Sequence, residues 1–231
     1  MTDSISMKVL AESSAALVQD YDLAGAMVRV LVEATEALRA DAGGLLVENG
    51  DRGLELLSAT SHGAAELETY QALSGDGPCV ECMRTQEAVG LDLEAVQSRW
   101  PDVARLMESA GFHWVLATPL RWHGTALGGL NLFFARAPGD EPGRTREAQV
   151  FSDILSLFIV NAQPISPAML RLRVELALTG RAVIEQAKGV LAEQEGVDMA
   201  AAYRRLLELQ ERTGDRLSDV ARSLIREAQG R

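Results

Sequence analysis

Hydrophobic and polar positions follow two different periods in the first two-thirds of the chain. Apolar residues at helical spacing predict helices over residues 7–20, 23–39, 62–73, 100–110 and 146–160. Shorter runs rich in β-forming residues predict strands at residues 44–48, 54–60, 88–91, 114–120 and 126–134. The turn chemistry of residues 49–53 joins the first two strands as a hairpin. The mixture of the two periods predicts an α/β fold for this part.

The C-terminal part shows only the helical period. Residues 168–195 contain no proline and are predicted to form one long helix that is apolar on two faces. One face holds Met169, Leu172, Leu176, Val183 and Val190, and the other holds Leu170, Ala177, Ile184 and Leu191 at a spacing of seven. Gly196 ends this helix, Asp198 can cap a second helix, and Gly214 separates the second from a third. Because three short helices have a thin core, we expect a bundle that also pairs with a second copy of the chain.

The two parts also differ in charge. Pro164 and Pro167 interrupt the chain, and we place a domain boundary between residues 166 and 167. Residues 1–166 carry a net charge of −12, whereas residues 167–231 carry +1 and half of the 22 basic side chains. The acidic part would repel a polyanion, so the composition excludes non-specific coating of nucleic acid. The C-terminal part has no such excess of negative charge and could therefore approach a polyanion.

The sequence lacks the features that are typical of membrane-spanning, secreted and disulfide-rich proteins and of proteins with a phosphate-binding loop. No apolar run reaches the roughly 18–20 residues of a membrane span, and the N-terminus lacks the basic and then apolar pattern of a secretory signal. Two cysteines do not make a disulfide framework in a chain of 231 residues. The glycines at 124, 128 and 129 lack the Lys-Ser/Thr of a phosphate-binding loop. We therefore expect a cytoplasmic protein with no membrane contact and no cofactor.

Cys79 and Cys82 form a Cys-x-x-Cys pair with three possible interpretations. They are a redox pair, half of a metal site completed by His113 or His123, or two small buried residues beside a pocket. Pro78 can start a helix that places Cys79 in its first turn, where the pKa of the thiol would be lowered. A metal site needs a second close pair of ligands, so we predict no metal.

Basic side chains recur at helical spacing in the C-terminal part. Arg181 and Lys188 are seven residues apart and share a helix face, as do Arg205 and Arg212. The planar guanidinium group suits phosphate, and Tyr203, the one aromatic residue of this part, could stack on an unpaired base. The alternative is that the basic residues pair on solvated helix faces with Glu185, Glu208, Glu211 and Glu227.

Three segments of this part resemble the ANTAR domain of bacterial transcription antiterminators. They are Gly-Arg-Ala-Val-Ile-Glu-Gln-Ala-Lys-Gly-Val-Leu at residues 180–191, the segment with Ala-Tyr at 199–206, and Arg-Leu-Ser-Asp-Val-Ala at 216–221. The resemblance covers about residues 168–228 and implies an all-α, three-helix domain that binds paired RNA stem-loops. The candidate RNA-binding residues are Arg181, Gln186, Lys188, Gly189, Tyr203, Arg204, Arg205, Arg216 and Arg222.

Two positions within this resemblance bear on how RNA would be bound. Leu207 stands where the family usually has arginine, and the neighbouring Arg204 and Arg205 lie on other faces of the predicted helix. Gly189 lies in the middle of the long predicted helix, where glycine costs about 1 kcal/mol relative to alanine. We therefore expect Gly189 to permit close approach by a neighbouring helix or by the RNA backbone.

Residues 10–162 resemble a GAF sensor domain. The matching segments are Gly-Pro-Cys at 77–79, Gly-Leu-Asp-Leu at 90–93, Arg-Trp-Pro at 99–101, Thr-Pro-Leu at 118–120 and Leu-Gly-Gly-Leu-Asn-Leu at 127–132. The resemblance implies an α/β (α+β) domain in which helices flank an antiparallel sheet, with a small-molecule pocket on one face of the sheet. The candidate ligand or redox residues are Cys79, Cys82, Trp100 and Trp114.

The order of the two segments resembles the GAF–ANTAR regulators of actinobacteria. It implies a sensor domain over residues 1–166 and an RNA-binding domain over residues 167–231. The implied protein is a homodimeric transcription antiterminator, without enzymatic activity, that responds to a small ligand or to redox state. Two other classes stay open. One is a GAF-fold thiol enzyme that reduces methionine sulfoxide, and the other is a DNA-binding regulator whose short helices mimic a helix-turn-helix.

Overall fold

The computed structural model describes residues 22–139, 141–161 and 167–229. The chain forms two compact units, Met1–Gln163 and Pro164–Arg231, which we term the N-unit and the C-unit. The helix predicted over residues 7–20 lies outside the described residues, as do residues 162–166 beside the predicted domain boundary. Within the described ranges, no helix is both long enough and apolar enough to cross a membrane.

The described residues of the N-unit form helices on an antiparallel sheet. The helices are α1 (Leu23–Ala37), α2 (His62–Ser74), α3 (Pro78–Thr85), α4 (Leu93–Arg99), α5 (Pro101–Ser109) and α6 (Glu141–Val160). The strands are β1 (Ala42–Glu48), β2 (Leu54–Ala59), β3 (Val89–Asp92), β4 (Trp114–Trp122) and β5 (Thr125–Phe134). Every pairing in the sheet is antiparallel, and the strand order is β2-β1-β5-β4-β3. The predicted α/β (α+β) unit with an antiparallel sheet flanked by helices is confirmed.

Local chemistry explains where the shorter helices begin. The Ser61 side chain accepts a hydrogen bond from the backbone N–H of Ala64 and caps α2. Asp92 ends β3 and, in the same way, accepts a hydrogen bond from Ala95 and caps α4. The apolar period did not predict α4, because a helix of seven residues has only two turns in which the period of 3.6 could show.

The sheet has a hydrophobic core on each face, because side chains alternate between faces along β4 and β5. Helices α1 and α6 pack on the first face, where Leu31, Leu116 and Phe151 belong to one continuous cluster. The second face is covered by the other N-unit helices. Its buried residues include Met107 and Phe133 in one cluster, and Cys79 and Cys82 with Met83 in another.

The C-unit is a bundle of three helices in the described residues, α7 (Pro167–Glu195), α8 (Met199–Thr213) and α9 (Leu217–Gln229), which confirms the predicted all-α fold. Its core consists of Ala187, Leu191, Ala202, Leu206, Val220 and Ala221. Val183 and Ile184, which the sequence pattern assigned to different faces of α7, both pack against this core. Residues of both predicted faces of α7, Val183 from one and Ile184 and Leu191 from the other, therefore contribute to the bundle.

The breaks between these helices lie where the sequence predicts them. Gly196 and Gly214 have positive φ angles of 64° and 71° directly after α7 and α8, a conformation that favours glycine at helix ends. Asp198 accepts a hydrogen bond of 2.7 Å from the backbone N–H of Ala201 and caps α8. In the first half of α7, Leu172, Val174 and Leu178 are each about half exposed.

Candidate functional site

Five polar or sulfur-bearing side chains meet beneath the second face of the N-unit sheet. We term them the buried polar cluster: Glu68 and Gln71 of α2, Cys79 and Cys82 of α3, and Asn131 of β5. Asn131 donates a 2.9 Å hydrogen bond from Nδ2 to Oε2 of Glu68. The backbone N–H of Cys79 donates to Oε1 of Gln71 at 2.9 Å, and the Cys82 thiol donates to the Cys79 carbonyl at 3.1 Å. These bonds tie the start of α3 to α2 and to the sheet.

Two strand glycines make room for this cluster. A Cβ atom at Gly44 would lie 2.3 Å from Oε1 of Glu68, and one at Gly129 would lie 2.5 Å from Sγ of Cys79. Both distances are far below van der Waals contact, so any larger residue at either position would displace the cluster. The carboxyl group and the thiol therefore lie directly against the backbone of β1 and β5.

Two groups of the cluster, Glu68 and Cys79, have raised pKa values. Burial raises the pKa of Glu68 well above that of an ordinary glutamate, with a contribution from the nearby Cys79, against the opposing hydrogen bond from Asn131. The pKa of Cys79 is also raised, first by its hydrogen bond with Cys82 and then by burial. The expectation was that the helix start lowers the pKa of the Cys79 thiol. The pKa is instead raised, because the hydrogen bond with Cys82 and burial both disfavour the thiolate. Oε1 of Glu68 and Oδ1 of Asn131 find no hydrogen-bond partner in the described part of the chain.

The two candidate pocket tryptophans lie on opposite faces of the sheet. Trp100 is in the second-face core, and the Arg99 guanidinium lies 4.3 Å from the centre of its ring. Trp114 is in the first-face core and packs edge-on against Phe134 with ring centres 5.4 Å apart. The structure therefore does not bring Trp100 and Trp114 together around one pocket. Likewise, the described residues include no group of three or more His, Cys, Asp or Glu side chains placed to hold a metal ion.

The sequence analysis missed Glu68, Gln71 and Asn131. The buried positions of α2 include Ala64, Leu67, Glu68 and Gln71, which have the i, i+3, i+4, i+7 spacing of one helix face. Two polar residues on a buried face were a signal in the sequence. Asn131, a polar residue in the apolar run of β5, was another. The hydrogen bond between Glu68 and Asn131 could not be predicted from the sequence, since 63 positions separate the two residues.

The candidate RNA-binding residues of the C-unit divide between two sides of α7. On the side facing α8, the ammonium group of Lys188 lies 5.5 Å from the centre of the Tyr203 ring and 2.9 Å from a Glu185 carboxylate oxygen. Arg205 on α8 pairs with Glu208 at 2.9 Å and with Glu195 at 3.5 Å. Pairing with Glu185 and Glu208, the alternative that the sequence left open, is thus present in the structure.

Arg181 on α7 and Arg204 on α8 are two further arginines of the candidate set. Both side chains are exposed, and neither forms a salt bridge among the described residues. Arg216 precedes α9, and its carbonyl accepts hydrogen bonds from the backbone of Asp219 and Val220. These exposed guanidinium groups can bind phosphate without first releasing a carboxylate.

Gln186, Gly189 and Arg222 lie on the other side of α7, along a groove between α7 and α9. Two adjoining hollows of about 700 Å³ and about 550 Å³ share Gln186 and Ile225 in their walls. Gln186 and Lys188 are two residues apart, which places them about 160° apart around the helix. The resemblance to the ANTAR domain had placed these residues in one candidate set, but the structure separates them into two surfaces.

Two known domain families match this chain: the GAF domain over residues 22–162 and the ANTAR domain over residues 173–225. Among solved structures, the chain is similar to the GAF domain of a phosphoenolpyruvate-protein phosphotransferase from Coxiella burnetii (TM-score 0.53, 20% identity, 68% of this chain and 94% of that one). It is also similar to the A. aeolicus nlh2 GAF domain in an inactive state (TM-score 0.52, 15% identity, 71% and 100%).

A third similar structure is the free methionine-R-sulfoxide reductase from Neisseria meningitidis in complex with its substrate (TM-score 0.50, 15% identity, 69% of this chain and 92% of that one). At these identities the likenesses show a shared fold. A search of curated proteins found no match to this chain.

Proposed function

The chain belongs to the GAF domain family and carries an ANTAR domain after it, and we propose that it is a signal-responsive transcription antiterminator that binds RNA stem-loops through α7–α9. ANTAR domains are RNA-binding antitermination domains, and GAF domains are sensor domains. This combination fits a regulator rather than an enzyme. The observation that carries the proposal is the ANTAR match over residues 173–225, which extends across all three helices of the bundle. The proposed regulator acts in the cytoplasm on nascent transcripts.

Helices α7 and α8 together supply the groups that an RNA loop requires. Arg181, Lys188, Arg204 and Arg205 provide positive charge for phosphates, and the Tyr203 ring, 40% exposed, is available for stacking on an unpaired base. Lys188 and Arg205 already have carboxylate partners. The Arg205 pair is exposed and therefore weak, whereas the Lys188 side chain is only 16% exposed and its partner Glu185 is 48% exposed. An RNA phosphate can therefore replace Glu208 as the partner of Arg205 at small cost, and at Lys188 it would have to displace Glu185 from a half-buried ammonium group.

Replacing Arg181 and Lys188 together with glutamine should weaken stem-loop binding and flatten its dependence on salt. Each basic side chain that contacts a phosphate releases a counterion, so the slope of log affinity against log salt should fall by about 1.5. Titrations at several salt concentrations measure this slope. The matched control replaces two exposed arginines of the N-unit, Arg52 and Arg84, with glutamine and should leave the slope unchanged. An unchanged slope in the Arg181 and Lys188 variant would remove this face from the RNA surface.

The same titration decides between the proposed function and the DNA-binding alternative. Tandem stem-loop RNA and duplex DNA are compared on one protein sample at one salt concentration, since salt alone changes such affinities greatly. Tighter binding of the stem-loop RNA supports the antiterminator. Equal or tighter binding of the duplex DNA would contradict it.

We further propose that the protein is a homodimer through the first half of α7. Leu172, Val174 and Leu178 are 48%, 52% and 57% exposed there, and a second helix could bury them. Each subunit would present one RNA site, and two linked sites bind tandem loops more tightly than one without any new contact. The Leu191 side chain, which the sequence pattern offered as a dimer contact, lies in the bundle core. The side chain of Leu176 lies outside the described ones.

Glutamate at both Leu172 and Leu178 should therefore convert the dimer to a monomer, because two charges would enter a buried apolar seam. Light scattering gives the mass in solution. Glu175→Gln, in the same stretch of α7, is the matched control and should remain dimeric. Dimers that survive the double substitution would place the interface elsewhere in the chain.

The proposed signal is a small ligand or a change of redox state in the N-unit. Complete burial of both thiols and the raised pKa of Cys79 favour a ligand, because thiolates react and buried thiols do not. A coupling of typical size would change RNA affinity by about 5–150-fold. RNA is titrated onto reduced protein, onto protein treated with hydrogen peroxide, and onto protein supplied with cell-extract metabolites. Identical affinity in all three would leave the N-unit a scaffold rather than a sensor.

A further inference from the structure

Gly189 has no packing role within the described part of the chain. It lies in the interior of α7 (Pro167–Glu195), where glycine is less favourable than alanine. A Cβ atom at this position would meet no atom within 4 Å. Of the two reasons that the sequence analysis offered for this glycine, close packing of a neighbouring helix is therefore excluded within the described bundle. What remains is an approach to the backbone of α7 from outside the chain.

The approach lies in the α7–α9 groove. Gly189 and Val190 form part of its α7 wall, and Ile225 of α9 borders both hollows. Gln186, also shared by both hollows, is exposed and makes no hydrogen bond among the described residues. Its amide group is free to donate and to accept. The groove thus combines apolar contact, an unpartnered amide and an opening beside Gly189.

The α9 wall adds positive charge to this groove. Arg222 pairs with Asp219 at 2.6 Å, whereas Arg226 donates only to the hydroxyl of Ser223, at 3.1 Å, and forms no salt bridge with any described residue. A guanidinium group without a carboxylate partner is available to a phosphate. The hollows, of about 700 Å³ and about 550 Å³, have the size of small-molecule sites.

We propose that the α7–α9 groove holds one unpaired nucleotide of the RNA loop and that Gly189 is the point of its closest approach to α7. The inference rests on the proposed RNA-binding function. In this arrangement the base packs on Ile225 and Val190, the Gln186 amide hydrogen-bonds to the base edge, and Arg226 binds the adjacent phosphate. An unpaired nucleotide is favoured over a paired one, because only splayed bases expose both an edge and a face to protein groups.

The test compares two glycines of α7. Gly180 also lies inside α7, and a Cβ atom there would likewise meet nothing within 4 Å. Gly180→Ala and Gly189→Ala should therefore both raise the melting temperature by a few degrees, since alanine is the better helix former. Only Gly189→Ala should weaken RNA binding, by about 10-fold or more, as expected when one base contact is lost. If Gly189→Ala is more stable but binds RNA less tightly, misfolding cannot explain the loss of binding.

The RNA probe is a tandem stem-loop with randomised loop nucleotides, from which the tightest binders of the unmodified protein are taken. A continuous duplex made from the same stems serves as the second probe. If the unmodified protein does not prefer stem-loops to the duplex, the proposed RNA function itself fails. If it does prefer them and both glycine variants bind equally well, the function stands and the groove inference is overturned.

Two further measurements test whether the groove holds RNA or a second copy of the chain. Arg226→Gln should lower the slope of log affinity against log salt by about one. Light scattering of the Gly189→Ala variant tests a protein helix as the occupant. If this variant becomes monomeric and each remaining monomer binds a single stem-loop as before, the groove holds a second copy of the chain and not RNA.

Discussion

Leu191→Glu should unfold the α7–α9 bundle and abolish RNA binding while the N-unit stays folded. Leu191 is 3% exposed and belongs to a core of only six buried residues within the described C-unit. An unpaired carboxylate in such a core costs about 3–5 kcal/mol, which approaches the total stability of a small bundle. We expect the α-helical circular dichroism signal to fall and RNA affinity to drop to the non-specific level.

Tryptophan fluorescence shows whether the N-unit stays folded in this variant. All three tryptophans, Trp100, Trp114 and Trp122, lie in the N-unit, so their fluorescence reports that unit alone. It should be the same in the variant and in the unmodified protein. The matched control is Gln194→Glu, which adds the same charge to the same helix at an exposed position. Because Gln194 borders the α7–α9 groove, this variant is a control for the helical signal and not for RNA affinity. A variant that keeps its helical signal and its RNA affinity would contradict the bundle core described above.

Glu68→Gln should remove a pH-dependent loss of stability from the N-unit. Burial raises the pKa of Glu68, so the folded protein keeps this proton to a higher pH than the unfolded chain does. The stabilisation is full below a pH of about 4.3, the pKa of glutamate in an unfolded chain. It is lost as the pH rises through the folded pKa, at a rate of at most about 1.4 kcal/mol per pH unit. Glutamine keeps the size of the neutral acid but cannot ionise.

The stability advantage of the glutamine variant should therefore grow as the pH rises above about 4.3 and should level off above the raised pKa of folded Glu68. Urea unfolding followed by tryptophan fluorescence measures the free energy of unfolding of the N-unit at each pH. Glu87→Gln removes an exposed carboxylate from the same unit and should leave the pH dependence unchanged. Parallel pH curves for Glu68→Gln and the unmodified protein would show that Glu68 is ionised when buried.

The pH test also bears on the proposed sensor role. Glu68 is hydrogen-bonded to Asn131 and Gln71, and the backbone N–H at the start of α3 is hydrogen-bonded to Gln71. A change in the protonation or hydrogen bonding of this cluster therefore acts on the contact between α2, α3 and the sheet. It also acts on the environment of both thiols. A chemical change in the cluster would therefore alter packing in the N-unit interior directly.

Patterns confined to single elements were predicted well. The helical period of residues 199–213 and the glycine at each helix end depend only on neighbouring residues, so α8 and the breaks around it lie where the sequence predicts them. Helix α4 was missed because its seven residues are too few for an apolar period to be recognised, although Asp92 is a local capping signal. The early start of α6 at Glu141 was hidden by the prolines and glycines around it.

The sequence by itself determined the α/β (α+β) sheet unit, the all-α unit after it, and the GAF and ANTAR resemblances, because each depends on local periods and short motifs. Only the tertiary structure decided that Glu68 meets Asn131, that both thiols are inaccessible, and that the RNA-binding candidates divide between two sides of α7. These outcomes depend on which elements pack together across long stretches of chain. Desolvation and the direction of a helix face arise from that packing, and no local pattern encodes either of them.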